Sequence, residues 1–154
     1  GYLFLTCSAG GDIEGQVQMY NSSNLEKIDS YNFDINSNPW HIIAGNANSN
    51  RLYVTLSGSA DGFGGSEGVA CLQFTDSELS LVWQNDNLSG TMVEPHGIAL
   101  SFDEEKLFVS DRSNGKIYFL NALDGELLDE MNLSITSIGS STALGGVANT
   151  QNLW

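Results

Sequence analysis

Two histidines, one Asp-Arg pair and two glycine-rich acidic loops are the parts of this chain whose residue types could do chemistry. His96 follows Pro95 directly, and His41 lies two positions after Pro39. A neutral imidazole there can hold a metal or take a proton near pH 7. The plainer reading is a turn histidine bonded to a neighbouring carbonyl. Asp111-Arg112 opens a polar turn. Arg112 there could grip a carboxylate or phosphate through two N–H groups, or pair with a nearby acid while Asp111 caps the turn amides. The loops Gly11-Asp12-Ile13-Glu14-Gly15 and Ser59 to Gly68 mix glycines with carboxylates, the donors of an oxygen-ligand calcium site. Asp61 and Glu67 are the calcium candidates. Neither loop has the helix–loop–helix calcium pattern, and a flexible hairpin turn is the simpler use. Phe63, set among glycines, either anchors a partner or tucks back onto its own sheet. Asp103-Glu104-Glu105 reads as a solvated turn. No Ser–His–Asp order and no phosphate-binding glycine loop is present.

The two cysteines, Cys7 and Cys71, allow one disulfide or two thiols, and they lack a CxxC metal spacing. Three Asn-x-Ser triplets, at Asn21, Asn87 and Asn132, are candidate glycosylation sites beside turns.

The elements that carry these residues recur with a period near fifty. Leu3-Phe4-Leu5-Thr6 matches Leu52-Tyr53-Val54-Thr55 and Leu107-Phe108-Val109-Ser110. Each later copy follows a similar lead-in: Pro39-Trp40-His41-Ile42-Ile43-Ala44, then Pro95-His96-Gly97-Ile98-Ala99-Leu100. A further lead-in, Leu144-Gly145-Gly146-Val147-Ala148, precedes a closing stub at Asn152-Leu153-Trp154. After each run come a polar turn, a strand, a second turn and another strand. No stretch has a sustained helical period with caps. Four short strands per repeat of this length predict an all-β chain built of β-propeller blades. The repeats divide as 1–38, 39–94, 95–137 and the start of another blade at 138–154. About three four-stranded antiparallel blades result, fewer than the roughly four to eight of a closed ring. Further blades of the same parent, or other protein subunits, are therefore expected to complete it. The register of the first unit, which starts on a second strand, and the lack of an initiator Met point to a processed product or a piece of something longer. The aromatics Tyr2, Phe4, Tyr53, Phe108, Tyr118 and Phe119 are expected between blades.

Composition narrows the partners. Against 19 Asp+Glu stand 5 Lys+Arg, for a net charge of −14. Such a chain is repelled by nucleic acid and by anionic membranes. No apolar run reaches the roughly 20 residues of a spanning helix. The sequons and the acidity lead to an exported protein, extracellular or lumenal.

Residues 95–131 resemble the NHL/YVTN class of propeller repeat, through Pro95-His96-Gly97-Ile98-Ala99-Leu100 and Lys106-Leu107-Phe108-Val109-Ser110-Asp111-Arg112-Ser113-Asn114-Gly115-Lys116-Ile117. Residues 39–74 match more loosely. The same blade is similar to one in the propeller domain of peptidylglycine amidating lyases, with its Pro-His lead-in and Asp-Arg-x-Asn-Gly turn. That resemblance implies a zinc ligand at His96 and a catalytic arginine at Arg112. It departs elsewhere, because Trp40 and Gly145 stand in the slots that match His96. The reading that follows is a non-enzymatic binding or assembly propeller, a scaffold subunit of a larger complex or filament. The alternative is a fragment of a metal-dependent lyase or lactonase-like hydrolase with its site in the central channel.

Overall fold

The computed structural model describes residues 1–8, 13–35, 37–45, 49–58, 67–85 and 91–133. The Gly11-Asp12 start of the first acidic loop, Asp61, Phe63, the Asn87 sequon and the 138–154 segment lie outside the described residues. Eleven strands form, and no helix occurs among the described residues. They are β1 (Tyr2–Cys7), β2 (Glu14–Asn21), β3 (Lys27–Ile35), β4 (Pro39–Ala44), β5 (Arg51–Leu56), β6 (Gly68–Phe74), β7 (Leu79–Asn85), β8 (Pro95–Leu100), β9 (Lys106–Asp111), β10 (Lys116–Asn121) and β11 (Leu127–Asn132).

The strands form three antiparallel meanders, β1-β2-β3, β4-β5-β6-β7 and β8-β9-β10-β11. Each is one blade, and among the described residues the first has three strands where the others have a further inner strand, β4 or β8. The repeat sets the alternation. In the second blade Leu52, Val54, Leu56, Ala70 and Leu72 face the first blade and pack with Val17, Met19 and Phe33. Tyr53, Val69 and Cys71 face the other way and pack with Ile98, Leu107, Val109, Tyr118 and Leu120 of the third blade. Two cores thus lie between three sheets, each closed by opposite faces of neighbouring blades. Of the aromatics expected there, Tyr53 and Tyr118 are fully buried, and Tyr2 and Phe4 pack against the first core. Phe108 and Phe119 meet each other instead, with ring centroids 5.4 Å apart, on the far side of the third blade.

The disulfide that the sequence allowed is not made; both cysteines are free. Cys7 shares the side of β1 that carries Leu3 and Leu5, turned away from the second blade. Cys71 sits in the core between the second and third blades. Sheets separate the two thiols. Burial pushes the Cys71 thiol up to about 11, against a lowering pull from Arg51.

Candidate functional site

The inner strands β4 and β8 carry the two histidines, and each strand has a bulge at that point. Pro39 pairs with Leu56 and Ile42 with Val54, so Trp40 and His41 together face Thr55. Pro95 pairs with Asp111 and Gly97 with Ser110, which leaves His96 as the extra residue. A bulge frees one N–H from the ladder and re-aims side chains. Here the freed N–H groups are met by buried hydroxyls: His41 N donates to Thr55 Oγ1 (3.1 Å), and Gly97 N to Ser110 Oγ (3.1 Å).

The same hydroxyl position also ties blade to blade. Thr6 of the first blade donates to the Trp40 carbonyl of the second (2.8 Å). Thr55 of the second donates to the His96 carbonyl of the third (2.9 Å). Trp40 and His96 are matched positions of the repeat, so these two bonds are one contact used twice. Ser8 adds a bond to the Pro39 carbonyl (2.7 Å).

His41 Nδ1 lies 2.7 Å from the His96 carbonyl oxygen. A carbonyl only accepts, so Nδ1 carries the hydrogen and Nε2 keeps the lone pair of the neutral ring. The two imidazoles meet edge to face with centroids 4.9 Å apart, and the Trp40 ring lies 5.0 Å from His96. Burial lowers the His96 pKa below the ordinary 6.5, aided by His41 and Arg112 and opposed by Glu94. His96 Nδ1 is buried without a hydrogen-bond partner.

The Asp-Arg turn takes its plainer role. Asp111 is fully buried. Its Oδ1 accepts the backbone N–H groups of Glu94, Ser113 and Asn114, and its Oδ2 accepts those of Val93 and the Asn114 side chain. One carboxylate thereby binds the β9–β10 turn to the segment entering β8. Arg112 forms an ion pair with Glu94, and Ser113 Oγ donates to the same carboxylate (2.6 Å). Burial pushes Glu94 up, but the Ser113 and Arg112 hydrogen bonds outweigh it and hold its carboxyl below the ordinary value. Glu94, Trp40 and the hydroxyl column Thr6, Thr55, Ser110 carry this region, and sequence reading did not single them out. The column was visible as the fourth residue of each matched run.

The remaining candidates are dispersed. Glu67 is half-buried, and its side chain fills the place a Cβ on Gly58 would take; the φ of +66° there separately favours glycine. Asp103 bonds to Ser101 Oγ (2.6 Å) and Glu105 N (3.2 Å) within a turn. The Ser101 hydroxyl, then the Glu105 amide, hold its carboxyl below the ordinary range. Asn21 Oδ1 accepts Ser23 N (2.8 Å), and Asn132 is exposed at the end of β11. Among the described residues no three His, Cys, Asp or Glu side chains gather where they could hold a metal ion.

No known family model matches this chain, and no curated protein does either. Solved structures do. The fold is that of a β-propeller. The chain is similar to Kuenenia stuttgartiensis hydrazine synthase, with a TM-score of 0.65 at 11% identity over 85% of this chain and 46% of that one. It is similar to the β-propeller domain of Myceliophteria thermophila Cps50 (Swd1), with a TM-score of 0.61 at 13% identity over 83% of this chain and 41% of that one. A putative 6-phosphogluconolactonase from Bacteroides fragilis matches with a TM-score of 0.60 at 17% identity, over 79% of this chain and 34% of that one. The chain spans less than half the length of each of these three chains. Likeness at such identity passes on the architecture and no activity.

Proposed function

We propose that this chain is a non-enzymatic propeller segment that acts by binding protein, with its first blade as the joint. One observation carries this reading. Leu3 and Leu5 are 41% and 42% exposed, whereas their counterparts Leu52, Val54, Leu107 and Val109 are fully buried beneath a neighbouring blade. Among the described residues no strand pairs with the outer edge of β1, where β5 and β9 pair with an inner strand. A face and an edge left open together are a template for another chain. The bonds that occupy Asp111 and Arg112 weigh against the lyase or hydrolase alternative, since both side chains serve the turn. An extracellular or lumenal setting fits the sequons. A glycan on Asn21 would use the amide nitrogen and leave the Oδ1 bond to Ser23 intact.

A photo-crosslinking residue at position 5, expressed in the native host, tests this. We expect one discrete adduct that disappears when Leu3→Glu is added. A chain that gives no adduct, or the same adduct with Leu3→Glu, refutes the reading.

A further inference from the structure

A cavity of about 480 Å³ lies at the joint between the second and third blades, and every residue lining it belongs to those two blades. It takes no part in the first-blade joint proposed above. Arg51 starts β5 and Lys106 starts β9, and each is the residue before the matched leucine of its repeat. Glu104 and Glu105 come from the turn between β8 and β9. Leu123 of the β10–β11 turn and Leu128 of β11 add apolar surface and are 64% and 48% exposed. Two contacts hold the walls together. Arg51 Nη1 donates across the joint to the Ala122 carbonyl (3.4 Å). Glu104 reaches the other way, and its Oε2 lies 3.1 Å from the place a Cβ on Gly45 would take.

The charges here differ from those of the chain as a whole. The sequence holds 5 Lys+Arg, and two of them line this one cavity. The ion pairs among the described residues use Arg112 and Lys116 and leave these two out. Two cations and two carboxylates give the lining a sum of zero, in a chain of net charge −14. The volume falls within the roughly 300–1,000 Å³ of small-molecule sites. The geometry points to a binding site for a free α-amino acid with an aliphatic side chain. Such a molecule carries one carboxylate and one ammonium on an apolar body. Arg51 and Lys106 answer the carboxylate, Glu104 and Glu105 the ammonium, and Leu123 and Leu128 the side chain. Net charge selects the same class. A carboxylate without an ammonium meets the repulsion of the acidic chain, and an amine without a carboxylate leaves both cations unanswered. A zwitterion meets neither obstacle.

Isothermal titration calorimetry of the full chain is the test, with leucine as the probe. Isocaproate is leucine without its ammonium, and isoamylamine is leucine without its carboxylate. Leucine is expected to bind saturably at one site, and each analogue about tenfold more weakly or worse, because each loses a charged hydrogen-bonding group. Substitutions then assign the two ends. Lys106→Gln should weaken leucine about tenfold and leave isoamylamine unchanged, whereas Glu105→Gln should weaken leucine and leave isocaproate unchanged. Both side chains are exposed, so circular dichroism should not move. A merely structural effect would weaken all three ligands alike. Leu123→Ser should narrow the preference for leucine over glycine. No saturable binding of leucine, an analogue that binds as tightly as leucine, or variants that bind all three ligands as the parent does would overturn the inference. None of these results bears on the position-5 adduct, so the first-blade reading stands or falls separately.

Discussion

Leu25 should become more favourable as glycine, and the repeat itself supplies the control. The β2–β3 and β10–β11 hairpins are the same turn made twice. Asn21 N donates to the Glu26 carbonyl (2.9 Å) and Leu25 N to the Asn21 carbonyl (2.9 Å). In the third blade Asn121 N donates to the Glu126 carbonyl (2.8 Å) and Gly125 N to the Asn121 carbonyl (2.8 Å). The fifth residue is left-handed in both, with φ of +59° at Leu25 and +78° at Gly125. That conformation costs an L-residue about 1–2 kcal/mol. Replacing Leu25 by glycine removes this cost and adds back about 0.5–1 kcal/mol of chain entropy. Leu25 is 66% exposed, so little packing is lost. Leu25→Gly should therefore stabilise the fold by about 0.5–1 kcal/mol, a rise of roughly 1–4 °C in Tm for a chain of this size. The reverse change meets an added obstacle. A Cβ on Gly125 would lie 2.7 Å from Cε3 and Cζ3 of Trp83. Left-handed strain and overpacking of about 1–3 kcal/mol then add, and Gly125→Ala should cost about 2–5 kcal/mol. Urea unfolding of the three proteins measures both. Leu25→Gly less stable than the parent, or Gly125→Ala as stable as the parent, would refute the argument.

Two further outcomes are expected. Asp111→Ala strands four backbone N–H groups in a buried turn and should cost about 3 kcal/mol or more, whereas Arg112→Ala, whose side chain is 32% exposed, should cost about 1 kcal/mol or less. Equal losses in urea titrations would show that the carboxylate is not the clamp. Acid should weaken the fold in two windows. His96 binds its proton less readily folded than unfolded, so stability falls as pH drops below 6.5, until the folded ring is itself protonated. Glu94 is held below its ordinary 4.5, so its contribution is present above that value and lost beneath it. His96→Gln should flatten the upper window alone in pH-dependent unfolding; an unchanged slope there would remove His96 as its source.

Much of the fold was legible in the chain. Pro39–Ala44, Gly68–Phe74 and Pro95–Leu100 were readable as strands because apolar residues crowd between turn-formers, and the spacing of the matched runs marked the blades. The bulges were not legible. One surplus residue in β4 or β8 looks like any other until a hydroxyl on the neighbouring strand is found to receive the N–H it releases. The role of Arg112 also stayed open, because the whole of β8 and β9 lies between it and Glu94 in the chain and only folding sets the two side chains together.

Sequence alone determined that this protein is all-β and that its strands come in repeated sets. Those properties follow from local preference and periodicity, which act within a few neighbouring residues. Tertiary structure decided which faces are covered and which stay open, that the cysteines remain apart, and that Asp111 and Arg112 hold a turn. Such outcomes depend on contacts between distant residues, and identical motifs meet different fates according to whether a neighbouring blade is present: Leu52 is sealed in a core, while Leu3, its equal in the repeat, faces outward.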